Sequence, residues 1–365
     1  LNPGDRAVVR GKIYPFTARH GGYGRLMTRR GYVGTLYLNR SSLLLHDTLH
    51  REFSPRHLSL FLHERAVARL DRLALAPDEQ ALCNAMTTGD RRSLSPALRA
   101  AYSRSGTSHL LAVSGLHVGI VFLLANLLLW WLPLFRHGHI LRNIAVILLI
   151  WLYAATTGFP PSVVRAALMF SVLQFALASS SEYVGMNILA GVAFVMLLFH
   201  PDYLFDISFQ LSFIAVAGII AWGLPLCRLL RTRRKSIDML TATLAIGFSA
   251  SAATAPLISH TFGQISVVGL ALNPVVILLS YVVVGSCTLW LVIPGTALAP
   301  LFSVVAGFAA RAQNELIRAA AALPAAALDI RLTTTQCWSV YGLFIFATLL
   351  LWSAERKKSV SSLPE

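Results

Sequence analysis

The sequence predicts a mainly α-helical polytopic membrane protein with about eight or nine transmembrane helices, a small β segment and amphipathic helices near its N-terminus. Of its 365 residues, 56% are hydrophobic and only 13% are charged, and the mean hydropathy is +0.64. Soluble domains carry about 25% charged residues, roughly twice as many. Several apolar stretches also approach the ~20 residues that a helix needs to cross a bilayer. Composition and segment length therefore both predict a membrane protein.

Nine apolar segments define the predicted membrane domain, residues 109–355. They cover residues 109–134, 143–157, 161–181, 186–200, 204–227, 237–260, 264–293, 297–309 and 338–353. Asn273 and Pro274 interrupt the seventh segment, which predicts a broken or re-entrant piece at 264–272 and a span at 273–293. Residues 310–322 place charged side chains beside an apolar face, so we expect an interfacial helix there.

Basic residues cluster in three loops that flank these segments. The three clusters are Arg136 with Arg142; Arg228, Arg231, Arg233, Arg234 and Lys235; and Arg356, Lys357 and Lys358. Four apolar segments separate each loop from the next, so all three loops lie on one side, and the positive-inside rule makes that side the cytoplasm. This orientation predicts that residues 1–108 are extracytoplasmic and that residues 356–365 form a cytoplasmic tail of an inner-membrane protein.

The N-terminal region carries two different patterns. Residues 1–50 alternate polar and apolar side chains on both sides of a glycine-rich turn, which predicts part of a small β domain. Residues 51–108 predict amphipathic interfacial helices, because 57–76 place leucines on one helical face and arginines on the opposite face. The four cysteines lie far apart without a C-x-x-C pair, so we expect no metal site and no disulfide framework.

Polar side chains within apolar segments indicate function, because a charged group costs about 2.5–3.5 kcal/mol at the centre of a membrane helix. The richest group lies in residues 106–118 (GTSHLLAVSGLHV), with His109, Ser114, Gly115 and His117. The two histidines are about 80° away from a shared helical face, so they are not an obvious metal pair. His117 has two open interpretations: a neutral histidine bonded between helices, or a group that lines a wet path.

Two further polar groups follow. Pro161 is expected to start a helix whose free amides attract anions, and Arg165 lies one turn inside it. Arg165 has three open roles: it meets phosphate, pairs with an acid, or extends to the headgroups. Asp206 and Gln210 share a helical face, and Asp206 either caps its helix or pairs with Arg165.

The fourth polar group lies in residues 254–274, where prolines, glycine and Asn273 interrupt two apolar segments. Such interruptions are typical of backbone that lines a cavity. The preceding run, residues 249–255 (SASAATA), contains only small side chains and predicts close helix packing. Packing in the protein core would also explain that run.

These segments together resemble the ComEC family of competence proteins, the inner-membrane channels for DNA uptake in natural transformation. The matching elements are TGD at 88–90, SGTSHLLAVSGLHV at 105–118, TG at 157–158, PS at 161–162, RA at 165–166, Pro201, FD at 205–206, FQLS at 209–212, Pro256, FG at 262–263 and NP at 273–274. Residues 1–50 resemble the end of the family's extracytoplasmic OB-type domain.

The resemblance implies a channel that passes one DNA strand across the inner membrane. It also implies a hydrolase domain in many members, whose H-x-H-x-D-H motif does not occur here, so we expect no enzymatic activity and no cofactor. Implied partners are single-stranded DNA, membrane lipids and other DNA uptake components. Two further partners are possible: a separate nuclease domain or protein, and other copies of the chain in a homo-oligomer.

A path for single-stranded DNA needs spaced cations and flat groups on which bases stack. The predicted DNA-binding residues of the outer β segment are Arg25, Arg29, Arg30, Arg40, Tyr32 and Tyr37. The alternative there is a solvated basic face. The predicted pore or gate residues of the membrane domain are His109, Ser114, Gly115, His117, Arg165, Asp206, Gln210 and Asn273.

Three other functions would fit parts of the pattern. A transporter of a small or lipidic substrate would explain the apolar segments and the buried polar groups, but not the order of the motifs. A non-conducting scaffold of the uptake machinery is the second. An intramembrane metalloenzyme using His109 and His117 is the third, and the missing H-E-x-x-H pattern disfavours it.

Overall fold

The computed structural model describes residues 6–16, 24, 27–28, 32–39, 42–47, 54–178, 185–293, 298–323 and 327–361. The strands are β1 (Arg6–Val9), β2 (Ile13–Pro15), β3 (Gly34–Leu36), β4 (Leu43–Asp47), β5 (Ile265–Ser266) and β6 (Ala327–Leu328). They pair antiparallel in twos, β1 with β4, β2 with β3 and β5 with β6. The described strands of residues 1–50 thus form two separate pairs, and an OB-like domain stays a prediction.

Helices make up most of the described chain. They are α1 (Pro55–Leu70), α2 (Pro77–Thr87), α3 (Pro96–Arg104), α4 (Gly115–Leu128), α5 (Gly138–Thr156), α6 (Pro161–Ala178), α7 (Gly185–Phe199), α8 (Ile207–Gly218), α9 (Leu224–Leu229), α10 (Lys235–Phe262), α11 (Val267–Val292), α12 (Ala299–Ala322) and α13 (Thr334–Ser361). A π-turn at Ile219–Gly223 joins α8 to α9. Short 3-10 turns lie at Asp71–Leu73, Ser108–Leu111, Leu132–Leu134 and Pro201–Phe205.

Local sequence signals explain where many of these helices begin. Proline occupies the first position of α1, α2, α3 and α6, where its missing N–H and its restricted φ are both favourable. The Ser95 hydroxyl accepts a hydrogen bond from the Leu98 amide at 3.2 Å, and the Ser266 hydroxyl accepts one from Gly269 at 3.0 Å. Gly263 ends α10 with a φ of +71°, in the left-handed region that favours glycine.

Three clusters of buried residues organise the described helices, and two of them contain most of the buried side chains. The larger surrounds α2 and brings α3, α11 and α12 against it. Residues 81–87 of α2 are all buried, so this helix lies inside the protein, whereas the sequence predicted an interfacial helix. The second cluster joins α4, α5 and α6 through side chains such as Val118, Ile150 and Val163. The N-terminal helices therefore belong to the same packed body as the apolar helices.

The protein has several helices that are suited to a membrane. In the part of the chain that the structure describes, five helices are long and apolar enough to cross it: Gly115–Leu134, Gly138–Thr156, Ile207–Leu229, Ile237–Phe262 and Ala271–Val292. Two further apolar helices, Pro161–Phe175 and Gly185–Phe199, are shorter. A membrane protein is thus supported, while the count of about eight or nine spans and the orientation stay predictions.

Two predicted breaks in helices are wrong. Helix α11 runs through Asn273 and Pro274 without interruption, because a proline in an apolar helix is tolerated when neighbours satisfy the freed carbonyl groups. Residues 297–309 and 310–322 were predicted as a span and a separate interfacial helix, yet 299–322 form the single helix α12. Its polar half contacts the N-terminal helices on one side: the Tyr102 hydroxyl donates to Asn314 Oδ1 at 3.1 Å, and Arg318 forms an ion pair with Asp78.

The run of small residues in α10 allows close packing, as its composition predicted. Gly218, the last residue of α8, faces Ser249 and Ala253 so closely that a Cβ atom built on it would lie 2.5 Å from the Ala253 Cβ. Such a distance is far below van der Waals contact, so only glycine fits there. The chain leaves the α-helical pattern directly after Gly218, in the π-turn.

Candidate functional site

A polar cleft of about 640 Å³ lies at one end of the helix bundle. Four separate stretches of the chain contribute to it. The lining residues are Gly89, Arg91, Ala112, Val113, Thr157, Pro160, Pro161, Ser162, His200, Asp202, Tyr203, Phe205, Asp206 and Ser208. Most of these positions belong to the motifs that the sequence analysis singled out, so the fold brings those motifs together at one place.

The turn between α5 and α6 shapes one wall of the cleft. Gly158 has a φ of +83° and Phe159 a φ of +52°, so the chain reverses here through the left-handed region. The Thr157 hydroxyl donates to the Ala154 carbonyl at 2.9 Å and holds the end of α5. The Ser162 hydroxyl donates to the Val113 carbonyl at 2.8 Å, which ties the start of α6 to the segment before α4.

Arg165 lies one helical turn inside α6 and is only 2% exposed. Its Nη2 donates a 2.9 Å hydrogen bond to the carbonyl of Ser208, which lines the cleft. Its Nε and Nη1 atoms are buried without a hydrogen-bond partner. The guanidinium also lies 6.0 Å from the centre of the Phe209 ring. A buried charge with two unused N–H groups is costly, so this side chain has capacity for an additional acceptor.

Asp206 caps α8. Its Oδ1 accepts hydrogen bonds from the Ser208 amide at 2.7 Å and the Phe209 amide at 3.3 Å. The carboxylate therefore takes the structural role that the sequence analysis weighed, while its charge also acts on Arg165. The Gln210 side chain bonds to the residues just before its own helix, since its Nε2 donates to the Leu204 carbonyl at 2.8 Å.

Charged side chains also line the cleft. Arg91 is exposed there, as are His200 and Asp202, which follow α7. Next to Arg91, Asp90 is held by Arg92, whose Nη2 lies 2.7 Å from Oδ2 and whose Nε lies 2.9 Å from Oδ1. Hydrogen bonding to the Arg92 guanidinium lowers the pKa of Asp90 below its usual value, against the opposing effect of burial.

Three predicted residues of the SGLHV segment lie at the start of α4. His117 is fully buried, and its Nδ1 accepts a hydrogen bond from the Ser114 amide at 2.9 Å and lies 3.0 Å from the Ser114 hydroxyl. The histidine thus serves the first turn of its own helix, as Glu or Gln does in a capping box. Its Nε2 is buried without a partner. Gly115 is exposed and approaches Ala166 of α6.

His109 and Asn273 lie away from the lining of the cleft. His109 is exposed in the 3-10 turn that precedes α4. The preceding Gly106 has a φ of +74° and packs so tightly on Ser266 that a Cβ on the glycine would lie 2.4 Å from the serine Cβ. This contact joins the SGTSH turn to the start of α11, where Asn273 has a buried Oδ1 without a hydrogen-bond partner.

The predicted DNA-binding residues are only partly within the described chain. Arg25, Arg29, Arg30 and Arg40 lie outside the described residues. Tyr32 and Tyr37 are exposed, Tyr37 by 73%. The Tyr37 ring contacts the ring of Tyr14, 5.8 Å away and edge to face, and Lys12 lies 5.9 Å from the Tyr14 ring. Tyr14, absent from the prediction, adds a second exposed ring to this surface.

A polar network between α4, α5 and α6 was not predicted from the sequence. Arg142 Nη2 donates to Asn126 Oδ1 at 2.9 Å, and Gln174 Nε2 donates to Asn143 Oδ1 at 2.7 Å. Asn126 also donates to Gln174 at 3.4 Å. The signal was available, because polar side chains within apolar segments are rare and usually pair with one another. Among the residues that the structure describes, no group of three or more His, Cys, Asp and Glu side chains is placed to hold a metal ion.

Comparisons with known proteins identify a family for this chain. The sequence model of the family described as "Competence protein" matches residues 86–357. ComE operon protein 3 of Bacillus subtilis (strain 168) is 33% identical over 201 residues, which are 54% of this chain and 24% of that protein. An uncharacterized protein of Aquifex aeolicus (strain VF5) is 29% identical over 201 residues, 45% of its length.

The matched part of the chain covers about a quarter of the Bacillus subtilis protein and under half of the Aquifex aeolicus protein. No solved structure matches it significantly. The family match covers the cleft, Arg165 and every candidate membrane span. This chain belongs to the competence protein family.

Proposed function

We propose that the chain forms the membrane part of a DNA uptake channel, through which single-stranded DNA crosses the bacterial inner membrane during natural transformation. The observation that carries the proposal is the convergence of four motif-bearing stretches of the chain on one polar cleft at the end of a bundle of candidate membrane helices. A hydrophilic strand needs such a polar opening, because apolar helices alone exclude its phosphates.

Electrostatics support an anionic substrate at this cleft. Arg91 is an exposed lining residue. Arg165 is buried outside the lining, but it donates to the carbonyl of the lining residue Ser208 and keeps two unused N–H groups. Arginine suits phosphate because its planar fork donates two parallel hydrogen bonds. Asp202 and Asp206 oppose this charge, but the Asp206 carboxylate is engaged by two backbone amides.

The N-terminal segment supports the same substrate. Tyr14 and Tyr37 present two exposed rings in mutual contact, with Lys12 beside one of them. Exposed aromatic rings stack with bases of any sequence, and a neighbouring cation binds the backbone. We therefore propose that this segment, on the extracytoplasmic side, receives the strand before the cleft does.

The proposal assigns no hydrolysis to this chain. Degradation of the second strand would belong to a separate domain or protein, and other uptake components would complete the machinery. The C-terminal tail would then be cytoplasmic, in agreement with the three basic loops of the sequence.

Uptake of labelled DNA by cells tests the cleft directly. In cells whose only copy of the gene carries Arg91→Glu, we expect uptake to fall by about tenfold, the factor that 1.4 kcal/mol of lost binding produces. The matched control is Arg104→Glu, an equally exposed arginine on α3 that does not line the cleft. Equal uptake by the two variants, with both proteins present in the membrane, would contradict the proposal.

A steric test uses a different property of the same site. Ser208→Trp places an indole in the cleft at an exposed position and should block passage, whereas the control Ser339→Trp adds the same group to an exposed face of α13 and should not.

Thermal stabilisation of the purified protein by an oligonucleotide, and not by small solutes, separates a DNA channel from a transporter of small substrates. Stabilisation by a small or lipidic solute alone would favour the transporter.

A further inference from the structure

An apolar groove of about 410 Å³ opens between three candidate membrane helices, away from the polar cleft. Its lining is entirely nonpolar in side-chain character. The residues are Leu226, Leu230, Leu244, Ala245, Gly247, Phe248, Ala271 and Pro274, from α9, the residue after it, α10 and α11. A Cβ atom built on Gly247 would meet nothing within 4 Å, so the groove is open at that point.

Four arginines adjoin, along the chain, the two leucines of this groove that lie at the end of α9. Arg228 lies between the lining residues Leu226 and Leu230, and the loop that follows continues with Arg231, Arg233 and Arg234. All four side chains are exposed, and none forms an ion pair with a carboxylate of the described residues. The nearby Asp238 is engaged by the Thr232 amide, which donates to its Oδ1 at 3.0 Å.

The position of the groove along α10 matches the depth of one leaflet of a bilayer. Helix α10 begins at Lys235, beside the arginines, and its lining residues reach from Leu244 to Phe248. At 1.5 Å per residue, these positions lie about 14–20 Å from the start of the helix. Half of the ~30 Å hydrocarbon core is about 15 Å. An acyl chain that entered beside the arginines would therefore reach the groove.

We propose that this groove binds an anionic phospholipid, with an acyl chain in the groove and the headgroup phosphate at the four arginines. Charge complementarity selects this occupant, since a zwitterionic lipid would leave the arginines without a net negative partner. Basic residues beside a membrane helix also set topology, but orientation alone does not require an open apolar groove next to them. The site is distinct from the cleft proposed for DNA and does not depend on that function.

Thermal unfolding of the purified chain in detergent tests the headgroup site, with phosphatidylglycerol and phosphatidylcholine of identical acyl chains as probes. We expect phosphatidylglycerol to raise the Tm more. Each neutralised arginine should weaken this preference by about fivefold, which corresponds to about 1 kcal/mol. Changing Arg228, Arg231, Arg233 and Arg234 together to Gln should abolish it, whereas Arg136→Gln, in another exposed loop, should not. An unchanged preference in the fourfold variant would overturn the proposal.

Filling the groove tests the acyl-chain site. Gly247→Trp should abolish stabilisation by phosphatidylglycerol, while the control Gly191→Trp should keep it. Gly191 lies in α7, and a Cβ there also meets nothing within 4 Å. Lipid-independent dimers that Gly247→Trp abolishes would instead assign the groove to a second copy of the chain and overturn the proposal.

A photoreactive phosphatidylglycerol tests the unmodified protein, so the outcome does not depend on the folding of a variant. The lipid should label peptides that contain residues 226–248. Uniform labelling of all apolar helices would overturn the proposal.

Discussion

The Nη2 atom of Arg165 donates a 2.9 Å hydrogen bond to the main-chain carbonyl of Ser208. This bond joins α6 to the first turn of α8 at the edge of the polar cleft. The acceptor is a carbonyl two residues beyond Asp206, while the Asp206 carboxylate is occupied by the amides of Ser208 and Phe209. The two charged residues thus stabilise the same helix start by different bonds.

Arg165→Lys separates the structural role of this arginine from an anion-binding role. A lysine retains one donor for the Ser208 carbonyl, so we expect a Tm close to that of the wild type. It loses the planar fork, so DNA uptake should fall strongly. The companion Arg165→Leu should lower both the Tm and uptake, because the Ser208 carbonyl loses a charged donor worth about 1.5–3 kcal/mol. Normal uptake by a folded Arg165→Lys protein would show that Arg165 has only the structural role of bonding the Ser208 carbonyl.

Asp206→Ala should destabilise the protein by about 1 kcal/mol, because the amides at the start of α8 lose their cap. Asp206→Asn keeps an oxygen acceptor and should unfold at nearly the wild-type temperature. Thermal unfolding in detergent measures both variants. Equal destabilisation by the two substitutions would show that the negative charge, and not the cap, is the important property.

Gly218→Ala should destabilise the contact between α8 and α10 by about 1–3 kcal/mol, as overpacking does in other cores. The added methyl group would lie 2.5 Å from the Ala253 Cβ and 3.0 Å from the Ser249 carbonyl oxygen. The control Gly342→Ala, in α13, meets nothing within 4 Å and should be neutral or slightly stabilising. Equal unfolding temperatures for the two variants would contradict the close approach.

The Asp90–Arg92 pair predicts a pH dependence of stability. The folded pKa of Asp90 lies below its usual value of 3.8, so folding favours the charged carboxylate. Its contribution is therefore fully present above that value and is lost as the pH falls through the folded pKa. Asp90→Asn should be less stable than the wild type near neutral pH, and the difference should shrink below about pH 4. A stability difference between the wild type and Asp90→Asn that stays constant from neutral to acid pH would contradict this linkage. Thermal unfolding at several pH values measures it.

Much of the local structure could be predicted from the residues. The helix start at Pro161 and the close packing at the small residues of α10 followed from rules that act over one or two turns. The cap at Asp206 was one of the two roles that the sequence left open. The helix break predicted at Asn273 is absent, because whether a proline bends or ends a helix depends on its neighbours in the fold. The burial of α2 was also missed, since its apolar face did not reveal that other helices cover the opposite side.

The sequence by itself determined the class of the protein and its family, because composition, segment length and motif order are properties of the linear chain. It also determined the caps, since a cap and its amides lie within three residues of one another. Only the tertiary structure decided which buried polar groups meet. Arg165 and Ser208 are 43 residues apart, and Asn126 and Gln174 are 48 apart. Helix packing brings such pairs together, and periodicity along the chain carries no information about partners so distant.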